Sequence, residues 1–409
     1  MRFTNFVLAA GLTATAFAAP VVVKNEDDSC VADYDETTSA AVVAQTTLPS
    51  SSAAVVASSA ASPVVASSSA VSSAAAVATP ASSSPAAPHS PAVATSSKAT
   101  AGKLQWIGAS ESAAEFGETH LPGVFGTDYK FPNTTAIQTL IDGGMNIFRV
   151  PFRLERMAQG SITADLDATY LAGYKEVIDY ITAAGASAVM EPHNSGRYDS
   201  VIITSTSDFG NFWGKLAAKF ADNSKVIFDC NNEFHDEPTA TIYAELNQAC
   251  VTAIRGAGAK SQYIFVEGTA YTGAWTWVSS GNSVSMLNIT DPEDKLVYEF
   301  HQYLDADGSG TSATCVSGTI GAERIADATA WLKTNNLKGV IGEFAGGVNA
   351  DCESAISGML DALAADNQYW LGALWWGAGP MWGDYIYAFE PPTGAAYIQY
   401  FKTIVKYVA

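Results

Sequence analysis

Basic residues are scarce in this chain of 409 residues, which has 21 Lys and Arg against 41 Asp and Glu and a formal charge of -20. A protein that binds a polyanion neutralises its phosphates with surplus Lys and Arg. We therefore expect no nucleic acid partner. Beyond the N-terminus the sequence also lacks a window of about 20 uninterrupted apolar residues, the length that crosses a bilayer. We expect a soluble chain that does not enter a membrane.

The first residues have the anatomy of a secretory leader. Arg2 supplies a basic start, residues 3–17 are predominantly apolar, and the small residues Ala16 and Ala18 flank Phe17. This order is typical of a signal peptide over residues 1–18. We expect cleavage after Ala18 and secretion into the extracellular space.

Aromatic and acidic side chains are absent from Thr37 to Thr100, where almost every residue is Ser, Ala, Val, Pro or Thr. Without apolar bulk or periodicity such a segment cannot build a core. We predict a disordered, O-glycosylated linker over residues 37–102, preceded by a short acidic segment, residues 19–36. That segment matches no carbohydrate-binding module, so strong action on a crystalline polysaccharide is not expected.

From residue 103 to residue 409 the composition is no longer restricted to a few residue types. Short β-branched and aromatic runs alternate with amphipathic stretches such as residues 166–184 and 208–221, which predict helices. Eight strand-then-helix units are typical of a (β/α)8 TIM barrel. A spacing of about forty residues also fits a propeller of four-stranded blades, but the long helical patterns argue against it. The eight runs are residues 104–109, 146–152, 186–192, 226–233, 263–268, 296–303, 339–344 and 371–377.

Cysteine is rare, with five in the whole chain, but a secreted protein allows them to pair. Cys315 and Cys352 follow two predicted strands in loop-like stretches, so we expect a disulfide between them. Cys230 lies in a predicted strand and Cys250 in a predicted helix, and we expect both to stay free as small buried apolar side chains. Cys30 has no second cysteine within reach.

Two triplets, at Asn133 and at Asn288, have the pattern of N-glycosylation acceptors. Such triplets also arise by chance. In a secreted chain we predict that both are glycosylated.

Polar residues at the carboxyl ends of barrel strands are candidates for the active site. Glu233 and Glu343 end the fourth and seventh runs, which are roughly opposite in a ring of eight. A lone acid at a strand end is as often a solvated loop residue. Two facing carboxylates in a mouth with aromatic residues, however, are what glycosidic bond cleavage requires. Position alone does not say which of the two attacks. Nearby polar or aromatic candidates are Arg149, Glu191, His193, Asn194, Asp229, Asn231, Asn232, His235, Asp236, Glu299, His301, Gln302, Tyr303, Trp375 and Trp376.

Four motifs in this order resemble those of family 5 glycoside hydrolases, the cellulase family A. They are Phe148-Arg149-Val150-Pro151, Asn232-Glu233, Gly342-Glu343-Phe344 and Trp375-Trp376. The resemblance covers about residues 103–409 and is nearest to fungal endoglucanases of that family. It implies that Glu233 is the acid/base and Glu343 the nucleophile of a retaining endo-β-1,4-glucanase.

The same resemblance assigns supporting roles. It implies that Arg149 lies beside Glu343 and keeps it ionised. Arg149 could instead form an ion pair on the surface, but its apolar neighbours Phe148 and Val150 favour burial. Asn232 is expected to bind the sugar 2-hydroxyl, although a turn Asn is the simpler alternative. His193 and His301 match the two histidines of the family's site, and Tyr303 matches its tyrosine near the nucleophile.

Aromatic side chains stack on the flat faces of sugars. Trp376 is the best candidate for the floor under the reacting sugar, whereas Trp375 points to the opposite side of its strand. Trp382 is expected to extend the cleft. Trp275 and Trp277 could do so too, but each fits the core equally well.

One departure from the family and one absence complete the prediction. Fungal relatives commonly have Gly-Pro-Trp-Trp after the eighth strand, but here Met381 precedes Trp382, which should alter only a distal sugar subsite. We expect no metal and no cofactor, because Glu299 and His301 alternate around their strand and the cysteines lack ligand spacing. The predicted substrate is a β-glucan polysaccharide, and the predicted form is a monomer.

Two alternatives stay open. A β-mannanase or another β-glucanase would use the same barrel and glutamates on a different sugar. A wall protein that binds glycan without cleaving it would normally lack one of the glutamates or the arginine, and all three are present here.

Overall fold

A computed structural model describes residues 102–409. The predicted leader, the acidic segment with Cys30, and the linker up to residue 101 lie outside the described residues. Eight parallel strands close into a barrel, in which each strand pairs with the next along the chain and the first pairs with the last. This confirms the predicted TIM barrel. The strands are β1 (Trp106–Glu111), β2 (Ile147–Phe152), β3 (Ser187–Pro192), β4 (Val226–Asp229), β5 (Ile264–Glu267), β6 (Leu296–Tyr303), β7 (Gly339–Ala345) and β8 (Trp370–Ala378).

Helices surround the barrel, and short polar side chains cap the starts of several of them. Asp167 accepts a hydrogen bond from the N–H of Tyr170, and Ser205 accepts one from that of Asp208. These caps set the starts of α3 (Ala168–Ala183) and α4 (Thr206–Ala217). The helices are α1 (Thr134–Asp142), α2 (Leu154–Met157), α3 (Ala168–Ala183), α4 (Thr206–Ala217), α5 (Ile242–Gly256), α6 (Asn282–Ser285), α7 (Ile320–Arg324), α8 (Ala326–Asn335), α9 (Ala350–Ala365) and α10 (Ala395–Ile404). A hairpin of Arg197–Tyr198 and Val201–Ile202 follows β3.

Apolar side chains, with at least one from each strand, fill the amino-terminal part of the barrel interior. They form a cluster separate from the larger core, which lies between the strands and the helices. Because side chains alternate along a strand, the residue two positions further along also points inward, so the apolar layer determines which residues form the next one. The apolar layer consists of Trp106, Ile147, Val189, Ile227, Phe265, Val297, Val340, Leu371 and Leu374.

The fourth strand is shorter than predicted. It ends at Asp229, whereas the predicted strand extends to Glu233. After Asp229 the N–H of Asn232 donates to the carbonyl of Pro192 at the end of β3 (3.1 Å). Glu233 takes a left-handed backbone conformation with φ of 45°. Cys230, Asn231 and Asn232 are as buried as the strand, but they form a turn.

Both cysteine pairs of the barrel form disulfides. The bridge between Cys315 and Cys352 is confirmed. The expectation that Cys230 and Cys250 stay free is wrong, because they are bonded to each other with Cα atoms 6.0 Å apart. Side-chain alternation turns Cys230 away from the barrel interior, and α5 packs back over β4, so Cys250 faces it.

The two predicted glycosylation sites lie on the surface. Asn133 is exposed at the start of α1, and its side-chain oxygen accepts a hydrogen bond from the N–H of Thr135 at 3.0 Å. Asn288 is exposed in the turn Met286–Asn288. Their glycosylation stays a prediction. None of the helices within residues 102–409 has the length and apolar character needed to cross a membrane.

The disulfide missed from the sequence should contribute measurably to stability. Cys230 and Cys250 are 20 residues apart, and a cross-link that closes a loop of this size stabilises a protein by about 3 kcal/mol. We expect the double variant Cys230→Ala, Cys250→Ala to lose about that free energy of unfolding in denaturant titrations. The variant Cys315→Ala, Cys352→Ala is the matched control and should lose a similar amount. Free thiols at Cys230 and Cys250 in peptide maps of the native protein would contradict the assignment.

Candidate active site

A polar layer lies directly above the apolar layer inside the barrel. It follows from strand alternation, because the residues two positions beyond the apolar ones on β2 to β6 are Arg149, Glu191, Asp229, Glu267 and Glu299. All five are fully buried. Four acids and one arginine therefore share the interior of the barrel just below its carboxyl-terminal mouth.

The guanidinium of Arg149 is the centre of this layer. Its nitrogens lie 3.2 Å from carboxylate oxygens of Glu191 and Asp229, and 3.0 Å from those of Glu267 and Glu299. A planar guanidinium offers five N–H donors in fixed directions, so one side chain contacts acids on four strands. The prediction that Arg149 is buried is confirmed.

The carboxylate of Glu343 is held by two donors above the layer. Arg149 Nη1 donates to Oε1 at 2.8 Å, and the Tyr303 hydroxyl donates to Oε2 at 2.7 Å. The opposite nitrogen of the same guanidinium, Nη2, donates to Asn232 Oδ1 at 2.8 Å. Arg149 thereby links the ends of β4 and β7.

Glu233 is held by its backbone and by its side chain. Its Oε1 lies 2.6 Å from Nδ1 of His301, and its N–H donates to Oε2 of Glu267 at 2.6 Å. Glu233 and Glu343 each bring an oxygen within 4.8 Å of the other. His301 lies between them, since its Nδ1 is also 3.5 Å from Glu343 Oε2.

Burial determines the protonation of these groups, because one guanidinium cannot neutralise four enclosed carboxylates. Burial raises the pKa of Glu191 to about 7 and that of Asp229 to about 6, although Arg149 opposes both shifts. It raises the pKa values of Glu267 and Glu299 well above the usual range of a glutamate, and neighbouring acids add to both shifts. The layer therefore shares protons and does not carry four full negative charges.

Burial also shifts the pKa values of Glu233 and of its side-chain partner His301. Burial raises the pKa of Glu233 and lowers that of His301 to about 3. His301 is therefore neutral at physiological pH, and Glu233 keeps a proton to a higher pH than an exposed glutamate does.

Histidine and tryptophan side chains form one side of the mouth. His193 stacks on Trp376 with ring centroids 5.3 Å apart and planes 9° from parallel. Trp382 meets Trp376 edge-on at 5.5 Å. Trp375 is fully buried, and its indole packs against Tyr400 of α10 outside the barrel. This confirms that the two neighbouring tryptophans face opposite sides of β8.

The two remaining tryptophan candidates, Trp275 and Trp277, differ in their exposure to solvent. Trp275 is 42% exposed and, with Tyr271, lines a cleft of ≈ 510 Å³ that reaches Glu233. Trp277 is fully buried against Phe300 and belongs to the core. Tyr271 is 53% exposed and stacks on His235 at 4.5 Å, so His235 supports the wall of this cleft.

A larger groove of ≈ 780 Å³ lies elsewhere, between α4 and α5 on the outer ring of helices. Its walls are small or polar residues such as Gly210 and Ala249. No residue predicted to take part in catalysis or substrate binding lines it. The size of a cavity does not locate the chemistry here.

One expectation about Glu299 and His301 is wrong. The prediction puts them on alternate sides of their strand, but residues two apart share a face, and His301 Nε2 lies 3.6 Å from Glu299 Oε1. Two groups of described residues bring possible metal ligands together, namely Glu233, His301 and Glu343, and Glu267, Glu299 and His301. Both groups lie within the network already described.

Glu267 is the member of the network that sequence reasoning missed. It ends the fifth strand, which contributes none of the polar strand-end residues predicted from the sequence. An acid after the apolar residues Ile264, Phe265 and Val266 was a signal of the same kind as Glu343 after Ile341, and it could have identified Glu267.

Comparisons with known proteins show which proteins this chain resembles. Residues 101–379 match the family model for cellulase, glycosyl hydrolase family 5. Endo-beta-1,4-glucanase B of Aspergillus niger is 56% identical over 300 residues, which cover 73% of this chain and 89% of the relative. Endoglucanase gh5-1 of Neurospora crassa is 52% identical over 305 residues, 75% of this chain and 77% of the relative.

Solved structures show the same barrel. XacCel5A in complex with cellopentaose is 33% identical, with a TM-score of 0.71, and the match covers 75% of this chain and 99% of that one. Cel5A (EG2) from Hypocrea jecorina is 26% identical with a TM-score of 0.67, over 72% of this chain and 94% of that one.

The buried acid layer should make the protein most stable at acid pH. An acid whose folded pKa is raised contributes stability that is complete below its unfolded pKa and is lost as pH rises through the folded value. For Asp229, a rise from 3.8 to about 6 corresponds to about 3 kcal/mol. We expect the free energy of unfolding to fall from about pH 4 to about pH 7, and Asp229→Asn to reduce this slope in denaturant titrations. The exposed control Asp179→Asn should leave the slope unchanged, and a slope equally steep in Asp229→Asn would refute the account.

Proposed function

This chain belongs to the cellulase family, glycosyl hydrolase family 5, and is therefore a glycoside hydrolase; we propose that it is an endo-β-1,4-glucanase that retains anomeric configuration. The observation that carries the proposal is the approach of Glu233 and Glu343 to within 4.8 Å. Retaining glycosidases place their two carboxyl groups about 5–5.5 Å apart, whereas inverting enzymes need about 6.5–9.5 Å to admit a water molecule.

In the first step Glu343 attacks the anomeric carbon of the sugar. A bond forms between that carbon and a Glu343 oxygen while the glycosidic C–O bond breaks, and Glu233 gives its proton to the departing oxygen. Hydrogen bonds from Arg149 and Tyr303 orient the attacking carboxylate. The raised pKa of Glu233, caused by burial, suits it to hold the proton that the leaving group requires.

In the second step water releases the sugar from Glu343. Glu233, which is now ionised, takes a proton from the water, and the oxygen of that water attacks the anomeric carbon, so that the ester bond to Glu343 breaks. Both carboxyl groups return to their starting protonation. Asn232 is suited to bind the sugar 2-hydroxyl, because Arg149 holds its side-chain oxygen and leaves its NH₂ group to donate.

The choice of a β-1,4-glucan as substrate is supported by the relatives and by the shape of the cleft. The Aspergillus niger and Neurospora crassa relatives are named as endoglucanases, and XacCel5A is solved with cellopentaose. Trp376, Trp382 and Trp275 offer flat faces on which pyranose rings can stack. Met381 beside Trp382 would weaken only a distal subsite.

We propose that the enzyme is secreted and acts as a monomer. The basic and apolar leader over residues 1–18 supports secretion. Two disulfides in the barrel support an oxidising compartment.

Conservative replacement of each glutamate tests this function. We expect Glu343→Gln to abolish turnover of carboxymethylcellulose, and Glu233→Gln to lower kcat by about 10²–10⁴, because each amide keeps the shape but neither attacks nor protonates. Reducing-sugar release measures both. The exposed control Glu353→Gln on α9 should keep full activity. Near-normal turnover by Glu343→Gln would disprove the assignment, and faster hydrolysis of mannan than of carboxymethylcellulose or barley glucan would change the substrate.

A further inference from the structure

We propose that Glu267 is a positioning residue for Glu233: its carboxyl group fixes the left-handed backbone of the acid/base and ties that backbone to Arg149. The inference rests on the proposed function of Glu233 and adds a residue to that mechanism. Glu267 has no exposed surface and does not line the cleft. It therefore acts through Glu233 and not on the sugar.

The backbone of Glu233 needs an external partner. A glutamate with φ of 45° occupies a sparsely populated backbone region that persists only where its surroundings impose it. Glu267 Oε2 accepts a hydrogen bond from the N–H of this same residue at 2.6 Å. The contact thus lies at the strained position itself.

The other oxygen of Glu267 is fixed independently. Oε1 accepts a hydrogen bond from Arg149 Nη2 at 3.0 Å, and the same nitrogen donates to Asn232 at 2.8 Å. Asn232 and Glu233 are consecutive, so Arg149 and Glu267 together form hydrogen bonds with two adjacent residues after β4. The backbone carbonyl of Glu267 also accepts a hydrogen bond from the buried side chain of Asn247 at 2.9 Å, which anchors the end of β5 to α5.

Glu267 also lies close to His301, the side-chain partner of the acid/base Glu233. His301 Nε2 is 3.6 Å from Glu267 Oε1, while its Nδ1 is 2.6 Å from Glu233 Oε1. A change at Glu267 should therefore displace Glu233 both at its N–H and across the imidazole. Glu299 has the same 3.6 Å distance to His301 Nε2 and a 3.0 Å distance to Arg149. The described contacts of Glu299 do not include the Glu233 backbone, which makes it the matched comparison.

The test compares two substrates that differ in their need for an acid. The leaving group of a 2,4-dinitrophenyl β-cellobioside, 2,4-dinitrophenolate, departs without protonation. The sugar that leaves a β-linked cello-oligosaccharide depends on the proton from Glu233. We expect Glu267→Met to lower kcat/KM at least about tenfold more for the oligosaccharide than for the aryl glycoside. Glu267→Gln, which keeps an acceptor for the Glu233 N–H, should recover most of that difference.

Two further variants keep the outcome decisive. Glu267→Asp retains an acid but is too short to reach both Arg149 and Glu233, so it should show the same selective loss if Glu267→Met does not fold. Glu299→Gln should lower both rates by the same factor. Equal losses on both substrates in Glu267→Met, or in Glu267→Asp, would overturn the positioning role.

The variant Glu233→Gln separates failure of this inference from failure of the proposed function. If Glu233→Gln loses much more activity on the oligosaccharide than on the aryl glycoside, the acid/base assignment stands and the Glu267 result is read on its own. If Glu233→Gln loses both equally, the proposed role of Glu233 fails, and the positioning role of Glu267 fails with it.

Discussion

The buried guanidinium of Arg149 is the interaction on which the site depends. It touches acids from β3, β4, β5 and β6, and it donates to Glu343 on β7 and to Asn232 after β4. Isolated buried acids would be costly, and a buried cation without partners would cost as much. Each therefore makes the other tolerable. The network fixes both candidate catalytic glutamates, Glu343 directly and Glu233 through Glu267.

Strand alternation explains why so many functional residues could be found in the sequence. The TIM barrel followed from eight apolar runs separated by helical patterns. Glu343, His301 and Tyr303 lie near the carboxyl ends of their strands, whereas Arg149 lies in the interior of β2. Their convergence is a consequence of parallel strands that all end at one mouth. Which glutamate attacks was not contained in that pattern, and it entered only through the likeness to family 5 glycoside hydrolases.

What the sequence did not yield depends on contacts between distant segments. The bridge from Cys230 to Cys250 requires knowing how α5 packs back on β4. The left-handed turn at Glu233 requires the partners that impose it, because neither the end of β4 nor a positive φ at a glutamate can be read from the local sequence. Glu299 and His301 were a different case, since the period of two along a strand places them on one face.

The central claim is that Glu233 and Glu343 act as a retaining pair, and the stereochemistry of the first product tests it most directly. Proton NMR can follow the anomeric signals of a cello-oligosaccharide during the first minutes of hydrolysis, before mutarotation mixes them. The approach of two carboxylate oxygens of this pair to within 4.8 Å predicts that the β-anomer is released first. Initial release of the α-anomer would contradict the covalent mechanism and the roles assigned to both glutamates.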